Sequence, residues 1–225
     1  MIPKIIHYCW FGKQPKNSKV LKCIKSWKDK CPEYEFIEWS EDNFNIDYCT
    51  YVRQAYNLKK WAYVSDFVRL YALSKYGGIY LDTDVECIKN PSPLLDSEGF
   101  LGFEGNKWIA TSVIGTQKKH AVVEGFLKSY KDKTFYLNSP SNVVELTKYL
   151  VDNFGLVLNG EYQTIEGFNI YPSDYFSPYD YLCGKLNVTR NTYMIHWYDM
   201  SWVDQSKLRR FLSRIYHRVM GIKLK

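Results

Sequence analysis

Asp82 and Asp84 stand on either side of one threonine, directly after the apolar run Ile79-Tyr80-Leu81. Carboxylates spaced this way reach a single cation when the backbone turns between them, and hard oxygen ligands suit Mg²⁺ or Mn²⁺. A D-x-D triplet is a short match that also occurs without metal, so its setting matters. Here it follows an apolar strand instead of lying in a charge run. A second group is Asp66 and Arg69, three residues apart and on one face of a helix. On a solvated surface such a pair is a local ion contact worth about 0.3–0.5 kcal/mol. Within a site, Asp66 would accept from sugar hydroxyls and Arg69 would donate to sugar or phosphate. The third group is the run Tyr193-Met194-Ile195-His196-Trp197, followed by Ser201-Trp202. Among aromatics, His196 is either structural or, with carboxylates beside it, a Mn²⁺ ligand.

The elements that must position these groups follow from hydropathy patterning. Residues 4–12 are β-branched and aromatic and close on Gly12, which reads as a buried strand. Asn17 and Ser18 can cap a helix whose Val20, Leu21, Ile24 and Trp27 recur at helical spacing until Cys31-Pro32. Tyr34 to Trp39 is a second strand, so the chain opens as β-α-β, with parallel pairing and a right-handed crossover. Lys59 to Tyr76 is helical, with Val64, Phe67, Val68, Tyr71 and Ala72 on one face and Gly77-Gly78 as its stop. The strand that follows ends at Asp82, at the carboxyl edge where open α/β sheets bind ligands. Phe100–Phe103 and 109–114 read as strands, His120 to Tyr130 as a helix, and Ser139-Pro140 as the start of a helix running to Gly155, with Pro in its first turn. Residues 156–192 read as irregular.

A chain of 225 residues with 46% apolar and 24% charged residues fits one sizeable α/β domain. Twenty Tyr and seven Trp supply flat faces suited to stacking on bases and sugar rings. The six cysteines form no C-x-x-C pair, which argues against structural zinc. With no signal-like opening, they point to a reducing cytoplasm. Seven Lys and Arg and no acid fall in residues 205–225, so the body is close to neutral and nucleic acid is not an expected partner. In that tail Leu208, Phe211, Leu212, Ile215, Tyr216, Val219 and Met220 keep helical spacing among basic residues. The division expected is a domain over 1–203 and a basic amphipathic helix over 204–225, docked on the domain or on an anionic membrane surface.

Taken together, the motifs resemble those of the DXD-containing sugar transferases, which include capsular-polysaccharide enzymes and fungal mannosyl-chain initiators and, more distantly, the clostridial glucosylating toxins. I-P-K-I-I-H-Y-C-W-F-G at residues 2–12 is similar to their opening strand, S-D-F-V-R at 65–69 to their S-D-x-x-R helix, and Y-G-G-I-Y-L-D-T-D at 76–84 to their metal motif. H-W-Y-D-M-S-W at 196–202 is similar to their H-W-x-x-S-W element, with one extra residue before Ser201. The resemblance implies a GT-A fold with a Rossmann-like, mostly parallel sheet, a UDP-sugar donor, Mn²⁺ or Mg²⁺, and retention at the anomeric carbon. Carried onto this chain, it has Trp10 stacking on uracil and Asp66 and Arg69 holding the donor sugar. Asp82 would touch ribose or a metal-bound water, Asp84 would ligate Mn²⁺, and His196 would complete the metal shell or contact the diphosphate. His7, Tyr80, Ser201 and Trp202 join the expected donor-binding set. The acceptor implied is a growing, lipid-linked surface glycan such as capsular polysaccharide, reached at the inner face of the plasma membrane.

Two rivals share parts of this pattern. A haloacid-dehalogenase-like phosphatase would use Asp82 as nucleophile in Asp82-Thr83-Asp84-Val85. It also needs a downstream acidic pair, and none follows Asp84. A non-catalytic sugar-binding module would explain the aromatics but not the ordered carboxylates.

Overall fold

A computed structural model describes residues 1–137 and 139–199. Ser201, Trp202 and the expected helix over 204–225 lie outside the described residues. The chain opens with β1 (Ile5–Cys9), α1 (Ser18–Lys30) and β2 (Glu35–Trp39), then α2 (Thr50–Asn57), α3 (Trp61–Tyr76), β3 (Gly78–Leu81) and β4 (Val85–Cys87). It continues through β5 (Gly99–Glu104), β6 (Trp108–Thr116), α4 (Ala121–Lys128) and α5 (Asn142–Phe154). The last described elements are the short strands β7 (Gln163–Ile165), β8 (Phe168–Tyr171), β9 (Tyr179–Asp180), β10 (Lys185–Leu186) and β11 (Met194–His196).

The central sheet has seven strands in the order β2-β1-β3-β6-β5-β8-β7. β2, β1 and β3 pair in parallel, β6 is antiparallel to both its neighbours, and β5 pairs in parallel with β8. Only β6 and β7 therefore oppose the common direction. The opening β-α-β unit is as expected, with Asn17 Oδ1 accepting from the backbone N–H groups of Lys19 and Val20 at 3.0 Å. Strand alternation sorts side chains onto two cores. Ile6, Tyr8, Ile79 and Leu81 face α1 and β4, whereas Cys9 and Tyr80 face α3. Asp82 has the parity of Tyr80 and so turns toward α3, where Arg69 lies.

A second, two-stranded sheet pairs β4 with β11 in antiparallel register, setting His196 opposite Val85. It packs on α1, where the fully buried Trp27 donates its indole N–H to Val85 O at 2.7 Å and Ser26 Oγ accepts from Cys87 N at 2.9 Å. The extra sheet carries the far end of the chain back to the motif at residues 82–84.

Three expectations need correction. α5 begins at Asn142 behind N-cap Ser141, which keeps an extended backbone at φ −67° and ψ 153°, so Pro140 precedes the helix instead of occupying its first turn. The stretch 156–192 is not irregular throughout, since β8 belongs to the central sheet. Its hairpin partner β7 is reached by a two-residue turn, Glu166-Gly167, with φ of 44° and 76°, the left-handed pair that suits a tight hairpin. The third concerns α3, whose buried residues include Leu70, Leu73 and Arg69, so it is covered on more than one face.

The step from α3 into β3 runs through Gly77 and Gly78, both at positive φ. At Gly78, φ is 103° and a Cβ would lie 2.6 Å from Ile5 O on the neighbouring strand. Gly78→Ala is expected to destabilise the fold by at least about 1–3 kcal/mol, the usual cost of a strained backbone, read from the midpoint of urea unfolding.

Candidate active site

The site is assembled at the carboxyl end of β3. Asp82 N donates to Ser112 O of β6 at 2.9 Å, and Val85 N donates to Asp82 O at 3.0 Å, closing the turn that holds Asp84. Pairing of β11 with β4 then brings His196 beside it. Ligand atoms of Asp82, Asp84 and His196 all lie within 4.8 Å of one another. His196 Nε2 is 3.5 Å from Asp84 Oδ1, and Asp84 Oδ2 accepts from Asp199 N at 2.8 Å. The Tyr198 ring covers the imidazole, with centroids 3.9 Å apart. The donor set of two carboxylates and an imidazole fits Mn²⁺ or Mg²⁺. A second sign of fit is that His196 Nδ1 is buried with no partner among the described residues.

Asp66 and Arg69 do not form the solvated ion pair that their spacing alone allows. Arg69 is 4% exposed. Its guanidinium lies 2.9 Å from Asp66 and 3.1 Å from Asp82, and Nη1 donates to Thr111 O at 2.8 Å. It also sits over the Tyr80 ring, 4.7 Å from the centroid, while Tyr80 Oη donates to Asp82 Oδ1 at 2.9 Å. A charge buried this deeply must be paired and hydrogen-bonded, and here both conditions are met.

The titration behaviour follows. Burial pushes the Asp66 carboxyl up to about 6, and the Arg69 charge only partly offsets it. Burial also raises Asp82 against the opposing Arg69 charge. Asp84 goes the other way. Burial raises it, but the His196 charge, the His196 contact and the Asp199 N–H together hold it below the usual carboxylate range. His196 is raised although burial lowers it, because Asp84, Asp82 and Glu104 favour its proton. For Arg69, burial is likewise outweighed by the nearby Asp82 and Asp66 carboxylates, so it stays charged.

These residues line one cleft of about 510 Å³, together with Trp10, Trp61, Asn142 and Tyr181. Trp10 donates its indole N–H to Gln14 O at 2.6 Å, with Lys16 Nζ 5.5 Å from the ring centroid. Gly12 lets Trp61 come close, since a Cβ there would lie 2.6 Å from the indole. Of the residues singled out from sequence, Trp10, Asp66, Arg69, Tyr80, Asp82, Asp84 and His196 meet at this cleft. His7 does not. It is fully buried at the start of the sheet, its ring facing Gly77 O at 2.8 Å and accepting from Trp39 Nε1 at 3.2 Å. Burial lowers its pKa to about 4, as suits a neutral ring that ties β1 to β2 and to the end of α3. Sequence reasoning missed Glu104, Asn142, Trp61 and Tyr181, whose neighbours in sequence carry no motif. Tyr198 and Asp199 stood inside a quoted motif without a role.

The sheet order and the site at its edge define a GT-A type glycosyltransferase fold. PaToxG glycosyltransferase shares it with a TM-score of 0.51 and 17% identity over 67% of this chain and 68% of that one. A glycosyltransferase involved in the glycosylation of the major capsid of PBCV-1 shares it with a TM-score of 0.50 and 11% identity over 95% and 100%. Residues 17–101, a stretch from α1 to β5, match the family described as glycosyltransferase sugar-binding region containing DXD motif. Inositol phosphoceramide mannosyltransferase 3 of Schizosaccharomyces pombe is 34% identical over 127 residues, which are 53% of this chain and 34% of that protein. An uncharacterized glycosyltransferase of Acanthamoeba polyphaga mimivirus is 30% identical over 65% of this chain and 61% of that one. The chain spans about a third of the length of the fungal relatives it matches.

Removing Arg69 leaves Asp66 and Asp82 buried without their cation. Arg69→Leu is expected to cost about 3–5 kcal/mol in chemical unfolding, as for other buried pairs stripped of one partner. The raised Asp66 acts in the opposite sense to a salt-bridged carboxylate. Between its unfolded value of 3.8 and about 6 the native state holds the extra proton, so stability falls as pH rises through this window. Asp66→Asn in the presence of a chelator is expected to remove that slope. Relative to wild type, the variant should gain roughly 2 kcal/mol between pH 4 and pH 7.

Proposed function

We propose that this protein is a metal-dependent, retaining glycosyltransferase that moves a hexose from a UDP-sugar to a lipid-linked surface glycan such as capsular polysaccharide. The observation that carries the reading is the meeting of Asp82, Asp84 and His196 with the buried Asp66–Arg69 pair in one cleft. In this reading Asp84 and His196 hold the cation directly. Asp82, already engaged by Tyr80 and Arg69, acts through its remaining oxygen or through water. When bound, the cation offsets the negative charge that builds on the leaving diphosphate. Trp10 and Trp61 offer aromatic faces for the base, and Tyr198 shields His196 from water. The departing phosphate, on the same face as the incoming acceptor, takes the acceptor proton, so no residue is assigned as general base.

The fungal relatives favour a second donor. Their names identify mannosyltransferases, one acting on inositol phosphoceramide, so a nucleotide-linked mannose and a lipid-borne acceptor are the alternative within the same mechanism. The half-exposed Trp108 and Val144 at the cleft suit an acceptor that carries apolar surface. The basic stretch 205–225 would hold the enzyme at an anionic membrane on the cytoplasmic side. Hydrolysis of UDP-glucose, UDP-galactose and GDP-mannose with and without Mn²⁺ identifies the donor without knowledge of the acceptor. Asp84→Asn is expected to abolish metal-dependent turnover and Mn²⁺-dependent nucleotide binding in calorimetry while the fold survives. Turnover retained by that variant would reject the assignment.

A further inference from the structure

The cleft wall holds two buried polar atoms that neither the metal site nor the ion pairs employ. Ser112 Oγ and Asn142 Oδ1 are shut off from water and have no hydrogen-bond partner among the described residues. Both residues line the cleft, and they are 2% and 5% exposed. Native proteins rarely leave buried polar atoms unpaired, and two on the wall of one cleft mark where a ligand's polar groups belong.

The orientation of Asn142 is fixed by its neighbour. Its Nδ2 donates to Asp66 Oδ1 at 3.1 Å, and that oxygen already faces Arg69 at 2.9 Å. The amide nitrogen is therefore committed, and the oxygen is the end left to bind a donor. Asn142 is also the first residue of α5, whose N-cap Ser141 makes no side-chain cap. The opening N–H groups of a helix lack intrahelical partners, so donors stand beside this acceptor. Ser112 sits across the Arg69 network, next to Thr111, whose carbonyl accepts from Arg69, and its own carbonyl accepts from Asp82 N. Its hydroxyl both donates and accepts.

An acceptor, a dual group and nearby N–H donors match the neighbouring hydroxyls of a sugar, each of which donates and accepts. A phosphate fits poorly, because Asp66 and Asn142 Oδ1 would face it with negative charge and a lone pair. We infer that Asn142 and Ser112 are specificity-determining residues that read hydroxyls of the transferred sugar, Asn142 Oδ1 accepting from one of them. This rests on the glycosyltransferase reading and adds the residues that select the sugar. Sites built to hydrogen-bond a hydroxyl discriminate strongly against analogues that misplace it.

The test compares wild type, Asn142→Ala and Ser112→Ala on UDP-glucose, UDP-galactose, UDP-N-acetylglucosamine and GDP-mannose. It reads kcat/KM for Mn²⁺-dependent hydrolysis, with calorimetric affinity for UDP and GDP and the Tm in parallel. In Asn142→Ala the preference for the best donor over the next is expected to fall about tenfold or more, while nucleotide affinity stays within about twofold. Ser112→Ala, a near-isosteric change that keeps the fold if the other variant loses it, is expected to shift the same ratio in the same direction. An unchanged ratio in both variants, or a loss of Tm and nucleotide affinity without a change in ratio, overturns the inference. If wild type binds no nucleotide with Mn²⁺, the glycosyltransferase reading fails, and this one fails with it.

Discussion

The buried guanidinium of Arg69 is the interaction on which the rest of the structure depends. An arginine at 4% exposure cannot shed its proton, so the fold must surround it with acceptors. Asp66 comes from its own helix, Asp82 from the end of β3 and a carbonyl from β6. One side chain thereby fixes α3 against two strands of the central sheet. It also settles the roles of the two aspartates in the motif. Asp82, bound by Arg69 and Tyr80, acts as a strut, and Asp84 turns away from that network toward His196.

The second constraint is topological. β4 is three residues long, and alone it could not hold Asp84 in place. Its partner β11 arrives from more than a hundred residues later, while β4 itself is held from beneath by Trp27 and Ser26 of α1. The antiparallel register then sets His196 opposite Val85 and so beside Asp84. Trp197 N donates to Asp84 O at 3.0 Å and Asp199 N donates to its carboxylate, so two positions just after β11 cradle one aspartate. That explains why the last motif sits far from the others in sequence and next to them in space.

The parts legible in the sequence were those governed by local rules. Asn17 as a cap, the glycine pair before β3 and the β-α-β opening follow from spacing and residue type alone. The burial of the Asp66–Arg69 pair was not legible, because i, i+3 spacing looks the same on a wet helix as under a sheet. Only the packing of α3 against α2, α4 and the strands β1 and β3 distinguishes the two. The place of β8 in the sheet was hidden for a similar reason: four residues among tyrosines and asparagines carry too little pattern to reveal a strand that lies parallel to β5. His7 misled for the opposite reason. It lies in a motif-bearing strand, but two residues before the cleft, where a ring is needed to join Gly77 to Trp39.

The charges of the cleft explain how carboxylates this close keep their shape before a cation arrives. Asp82 and Asp84 would repel each other, yet each has its own partner: Arg69 for the first and His196, whose proton the nearby carboxylates favour, for the second. Arg69 is a permanent cation, whereas the proton on His196 is exchangeable, and under the proposed function a metal ion would take its place with loss of that proton. Asp84 and His196 are therefore held in position by a pair that metal binding would replace, while Asp82 keeps its own anchors. The permanent pair preserves the architecture and the exchangeable pair is the one a cation would replace, so the two aspartates of one short motif are not interchangeable.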